Sequence, residues 1–154
     1  MSRRILWPRR RILLAGAGAA AAGALVPALA QLNELPAIPA LEAVLAGRRP
    51  QFARMQMDLP RVADNGNSVP IKLGVLGASA PGEVRAIHLF SEKNPVPQMA
   101  VFHFAADATR FDIESRVRLA GTQRVVALAT MGDGTLLVKV AEVLVAIAAC
   151  LDGS

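Results

Sequence analysis

Three side chains raise the question of chemistry. His88 and His103 are the only histidines, and Cys150 is the only cysteine. A thiol, an imidazole and a carboxylate can form a nucleophile and its base, and the same residue types hold metal ions. The spacing favours neither arrangement. His88 lies in VRAIHLFS and His103 in VFHFAAD, two runs that read as neighbouring strands. No third ligand stands close to them in sequence. Each reads as a structural or interfacial histidine with one ring nitrogen hydrogen-bonded. No nucleophile elbow or fixed motif surrounds Cys150, and a nucleophile near a chain end gives up the orientation that covalent catalysis needs. Gly132-Asp133-Gly134 has the composition of a hairpin turn, and no phosphate-cradling glycine loop is present.

The thiol itself remains. One cysteine cannot make an internal disulfide, so it predicts either intermolecular pairing, such as a Cys150-linked homodimer, or a free reactive thiol. The alternative is a buried cysteine acting as a small hydrophobe. Its place in VAIAACLDGS argues for exposure, because chain ends usually lie at the surface. A nucleophilic sulfur there can hold an adduct and present it to other proteins.

Such a thiol needs a scaffold and a compartment. Residues 1–30 differ in kind from the rest. Arg3, Arg4, Arg9, Arg10 and Arg11 precede a weakly hydrophobic Ala/Gly/Leu run that closes in Ala28-Leu29-Ala30. This pattern reads as a twin-arginine-like export signal cut after Ala30, which implies a periplasmic protein. An ordinary secretory signal and an uncleaved anchor are the competing readings. The formal charge of +5 comes from those arginines: residues 31–154 carry 12 cations against 12 acids. With no basic patch, no tyrosine, and the only tryptophan (Trp7) in the leader, nucleic-acid binding has no support.

Residues 31–54 read as a short helix and linker. Leu41, Val44 and Leu45 share one face of a helix over 40–46, stopped by Gly47 and Pro50. From Met55 the period changes to two. MQMDLP, SVPIKLGVL, VRAIHLFS, QMAVFHFAAD, RFDIESRVRLAG and RVVALATMG read as strands, with Asp64-Asn65-Gly66-Asn67 as a turn. TLLVKVAEVLVAIAAC is long for one strand. A bend near Ala141-Glu142 is predicted, giving two strands or a change of sheet, with a helix as the competing reading. Residues 55–149 are therefore expected to form an all-β, immunoglobulin-like sandwich, followed by a cysteine-bearing arm over 150–154.

Residues 35–150 resemble the SoxY family. The most specific stretches are AIHLFSEKNPVPQMAVFHF (86–104) and SRVRLAGTQRVVALATMGDGTLLVKVAEVLVAIAAC (115–150). The resemblance implies an immunoglobulin-like sandwich that pairs with SoxZ, a second β-sandwich protein. It implies a sulfur carrier of periplasmic thiosulfate oxidation, not itself an enzyme, with Cys150 as the attachment residue. A haem enzyme would join thiosulfate to the thiol, and other enzymes would release sulfate or oxidise the remaining sulfur. No bound cofactor is expected, since the sulfur is covalent cargo.

The arm departs from the family's Gly-Gly-Cys-Gly-Gly ending. Ala148 and Ala149 precede the cysteine, and Leu151 and Asp152 follow it. Alanine narrows the dihedral choices that glycine allows. Asp152, and a carboxyl terminus nearby, would repel an anionic adduct. Two alternatives follow: a non-carrying structural subunit that pairs with a SoxZ-like protein, or a stand-alone thiol sulfurtransferase using His88 or His103.

Overall fold

The computed structural model describes residues 34–148. It begins with a short helix, α1 (Pro39–Leu45). Proline suits the first helical position, where its missing N–H costs nothing and its φ is already helical. Ala46 (φ 48°) and Gly47 (φ 75°) turn left-handed and end the helix. Arg48 then reaches back. Its Nε and Nη2 donate to the carbonyls of Leu45 and Val44 at 3.1 and 3.0 Å, and its Nη1 donates to Gly134 O at 3.2 Å. A cation on these last carbonyls caps the helix C-terminus and ties α1 to the 132–134 turn.

Eight strands follow: β1 (Met55–Asp58), β2 (Val62–Asn65), β3 (Val69–Val75), β4 (Val84–Ser91), β5 (Gln98–His103), β6 (Ile113–Val117), β7 (Gln123–Met131) and β8 (Leu136–Ile147). They form a three-stranded sheet, β1-β3-β6, and a five-stranded sheet, β2-β8-β7-β4-β5. All pairings are antiparallel except β2 with β8. The expected β-sandwich is present.

Alternation along the strands explains the layers. From β7, Val125, Ala127, Ala129 and Met131 face the three-stranded sheet, where they meet Val69, Ile71 and Leu73 of β3. Val126 and Leu128 face the other way. There they join Phe90, Leu136, Val138 and Val140 beneath Ile38 and Leu41. The five-stranded sheet is thus buried on both faces over its centre, and α1 covers the outer one. Leu41 is buried while Val44 and Leu45 are partly so, which matches the predicted helical face.

Two local expectations need correcting. Residues 62–65, assigned in part to a turn, form β2; only Gly66 and Asn67 turn. The closing segment neither bends, changes sheet nor forms a helix. β8 is one strand of 12 residues, paired with β7 in unbroken register from Leu136 to Val143. Its last residues then pair with β2 on the opposite edge. The anticipated break at Ala141-Glu142 is spanned by the pairs Val125↔Ala141 and Arg124↔Glu142.

Candidate functional site

Strand order decides what gathers at each end of the sandwich. β8 ends at Ile147, four residues past Val143, which pairs with Gln123 at the start of β7. The end of β4 pairs beside that start, at Ser91↔Val125. β5 begins there, and β6 ends there before leading into β7. The loop 92–97 and the loop 118–122 therefore converge on the pole from which β8 runs out. These are the loops of the two stretches that carried the family resemblance.

A hydrogen-bond network joins the two loops. Asn94 is its hub. Its Nδ2 donates to Arg118 O at 2.8 Å, and its Oδ1 accepts from Ala120 N at 3.0 Å and Gln123 Nε2 at 3.1 Å. Gln123 is buried, and its Oε1 accepts from Lys93 N at 2.8 Å. Lys93 Nζ donates to Thr122 O at 2.6 Å. Every polar atom of the Gln123 amide that burial strips of water is thereby given a partner. On the loop's outer side, Arg124 binds the Glu92 carboxylate. The hydrogen bond from Arg124 holds that carboxyl below its ordinary range, and the same bond pushes the guanidinium up.

The last turn of β8 has its own supports. β7 begins at Gln123, opposite Val143, so no strand backbone faces Val145 on that side. Thr122 Oγ1 accepts the Val145 N–H instead, at 2.9 Å. On the other edge, Leu144 N donates to Arg61 O at 2.9 Å and Gly66 N donates to Ile147 O at 2.8 Å. Val62 and Leu144, paired across the β2–β8 edge, are exposed together on one face, while Ile147 is exposed on the opposite face of the strand.

Cys150 lies outside the described residues, as do the leader (1–30), Ala149 and the rest of the expected arm over 150–154. It is three residues past Ile147, so covalent geometry keeps it within about 11 Å of that strand end. The arm's root is therefore this pole.

The histidines are placed elsewhere. β4 and β5 are neighbours, with His88 opposite Val101 and His103 opposite Ala86, so the two histidines are diagonal on one face. His88 lies parallel to the Phe90 ring, centroids 6.2 Å apart, and its Nδ1 is 3.4 Å from Gln98 Nε2. Burial, and then the charge of His103, push His88 below its ordinary value. Among the described residues no three His, Cys, Asp or Glu side chains come together as a metal site. A groove of about 300 Å³ opens between the edge strands β5 and β6, with Phe102 and Val117 in its lining and Arg116 and Arg118 beside them. Asn94 and Thr122 were not singled out from sequence. Their signal was present only as membership of the family-like loops.

Comparison with known proteins agrees with this architecture. A family model described as "Sulfur oxidation protein SoxY" matches residues 41–150. No curated protein matches the chain. Among solved structures, superoxide reductase (neelaredoxin) from Ignicoccus hospitalis superposes with a TM-score of 0.52 at 15% identity, covering 60% of this chain and 80% of that one. A variant of the same protein gives 0.53 at 14% identity, covering 68% and 88%. A Pyrococcus horikoshii protein gives 0.50 at 13% identity, covering 65% and 98%. These likenesses concern the fold alone.

Proposed function

The chain belongs to the SoxY family of sulfur oxidation proteins, and from that premise we propose that it carries sulfur intermediates of thiosulfate oxidation covalently on Cys150. The observation that carries this reading is the position of the chain's only thiol, three residues beyond the strand end where the two family-like loops meet. A thiol placed there can enter another protein's active site while the sandwich stays outside it.

The chemistry asked of the residue is simple. The Cys150 thiolate joins the outer sulfur of thiosulfate in a two-electron oxidation, forming a cysteine S-thiosulfonate. A haem enzyme takes the two electrons. Water then attacks the sulfonate sulfur, releasing sulfate and two protons and leaving a persulfide on the cysteine. The carrier supplies only the attachment atom and its presentation.

The twin-arginine-like leader fits export to the periplasm, where the partner enzymes would act. The exposed Val62 and Leu144, side by side on one face of the β2–β8 edge, fit a contact with a SoxZ-like subunit, since exposed apolar surface of this kind marks interaction sites. A second reading has one specific observation in its favour: alanines, Leu151 and Asp152 flank the thiol in place of glycines, as a non-carrying subunit would tolerate.

Intact-mass measurement of protein isolated from its native compartment decides between them. The carrier reading expects sulfur-containing adducts that reductant removes and that Cys150→Ser abolishes. Only the unmodified mass during thiosulfate turnover would leave the structural-subunit reading.

A further inference from the structure

The end of β8 has an unequal set of supports. Up to Val143 it has β7 as a partner on one side. Beyond that it overhangs, held on one edge by the four-residue β2 and on the other by a single side-chain hydroxyl, Thr122 Oγ1. Thr122 is itself fixed from the loop across from it. Lys93 Nζ holds its carbonyl, and the neighbouring Gln123 amide is locked to Asn94 and Lys93. The hydroxyl is therefore the point where the rigid two-loop network touches the strand that leads to Cys150.

We infer that Thr122 is a positioning residue for the arm: by accepting the Val145 N–H it fixes the place and direction in which the chain leaves β8 toward Cys150. The physical consequence is a choice of hinge. With the bond in place, the overhang from Leu144 to Ile147 stays in the sheet, and the arm has few residues beyond it. Without the bond, a strand end paired only to a short parallel neighbour frays. Local opening of this kind is the expected behaviour of a segment with few hydrogen bonds. The arm then becomes longer and less directed, and the chance of presenting its thiol at the right depth falls, since orientation contributes strongly to rate. The inference rests on the carrier reading for its functional half and on geometry alone for its structural half.

The test uses the exported full chain with its partner subunit. Thr122→Val keeps the branched shape and removes the acceptor; Thr122→Ser keeps the acceptor. Thr122→Ala serves as a second loss variant should valine misfold. Residue-resolved amide exchange is expected to speed up at Val145 by roughly tenfold in T122V, as loss of one hydrogen bond allows. Val138 to Val143 should be unchanged, and T122S should restore slow exchange. Enzyme-catalysed loading of Cys150 with thiosulfate should fall about tenfold in T122V, a loss of orientation, and recover in T122S. Alkylation of Cys150 by iodoacetamide should stay the same in all variants, which a general loss of structure would not allow. Unchanged exchange at Val145 overturns the pin. Faster exchange with unchanged loading overturns the positioning role. If the wild-type chain takes up no sulfur, the carrier reading fails and the positioning role with it, while Val145 exchange still reports whether the pin exists.

Discussion

Arg124 grips Glu92 with two nitrogens: Nε lies 3.1 Å from Oε2 and Nη2 lies 2.9 Å from Oε1. This paired geometry is the strong form of an ion pair, and both side chains are about 30% exposed, at 28% for Arg124 and 31% for Glu92. It closes the outer side of the 92–97 loop against the start of β7.

Glu92→Gln should therefore destabilise the protein at neutral pH, by about 1 kcal/mol for a partly exposed pair of good geometry. The pH dependence has a definite sign. The carboxyl is held below its ordinary 4.5 in the fold, first by the Arg124 hydrogen bond. Its contribution is complete above the unfolded value and is lost as pH falls through the lower folded value. Denaturant midpoints measured from neutral to about pH 3, below the ordinary carboxyl range, should fall more steeply for wild type than for E92Q. Parallel slopes would show that the pair contributes nothing.

At the far end of the sandwich, Gly132 N donates to Glu83 O at 2.8 Å. A Cβ at Gly132 would lie inside contact with the backbone carbonyl of Gly82, which has φ 69°. Neither backbone can yield as a flexible side chain would. Gly132→Ala should cost about 1–3 kcal/mol, the usual range for overpacking. Thermal denaturation checks this. Val145 exchange should not change, because this turn is remote from the arm's root; a stability equal to wild type would mean the two turns separate freely.

His88 should titrate below 6.5, because burial first and the charge of His103 second disfavour its protonated form. His103→Ala removes the second cause and leaves the first, so the midpoint should rise yet stay below 6.5. A lowered folded value means that this histidine's contribution to stability is present above the unfolded value and is lost as pH falls through the folded one. Ring-proton chemical shifts followed from about pH 8 to 4.5, a span around the ordinary histidine range, read both effects. A midpoint indifferent to H103A would remove the coupling.

What the sequence made legible follows from how local each signal was. The strand runs of β3, β4 and β7 were readable because their apolar residues are dense and their turns carry glycine, proline or asparagine. The α1 face was readable from Leu41, Val44 and Leu45. β2 was not, since VADN has the composition of a turn and becomes a strand only through β8, with Val62 paired to Leu144. The same long-range pairing explains β8. Its Ala141-Glu142 step looked like a break, yet Arg124 and Val125 of β7 stand opposite and hold it extended. At the site, Cys150 stands out in the sequence as the only thiol, and it lies outside the described residues. The roles of Asn94 and Thr122 could not be read, because each depends on two loops that meet only when the strands are ordered.

The arm's composition supplies the last prediction. Ala148, Ala149, Leu151 and Asp152 stand around Cys150 where the family ending has glycine. Glycine populates backbone regions closed to alanine and leucine, so a glycine-flanked thiol can follow more paths into an enzyme channel. Leu151 adds bulk next to the thiol in sequence, and Asp152 would add a negative charge near the anionic thiosulfonate of the proposed carrier. Replacing all four by glycine should raise enzyme-catalysed loading several-fold, roughly the range that better orientation allows. Asp152→Asn alone separates the two causes. If charge dominates, it should recover most of the gain at low salt, and the advantage should shrink as salt screens the repulsion. If backbone freedom dominates, D152N should load like wild type at every ionic strength while the glycine variant stays faster. Loading that is unchanged in the four-glycine variant would mean that neither the missing glycines nor Asp152 limits the proposed carriage.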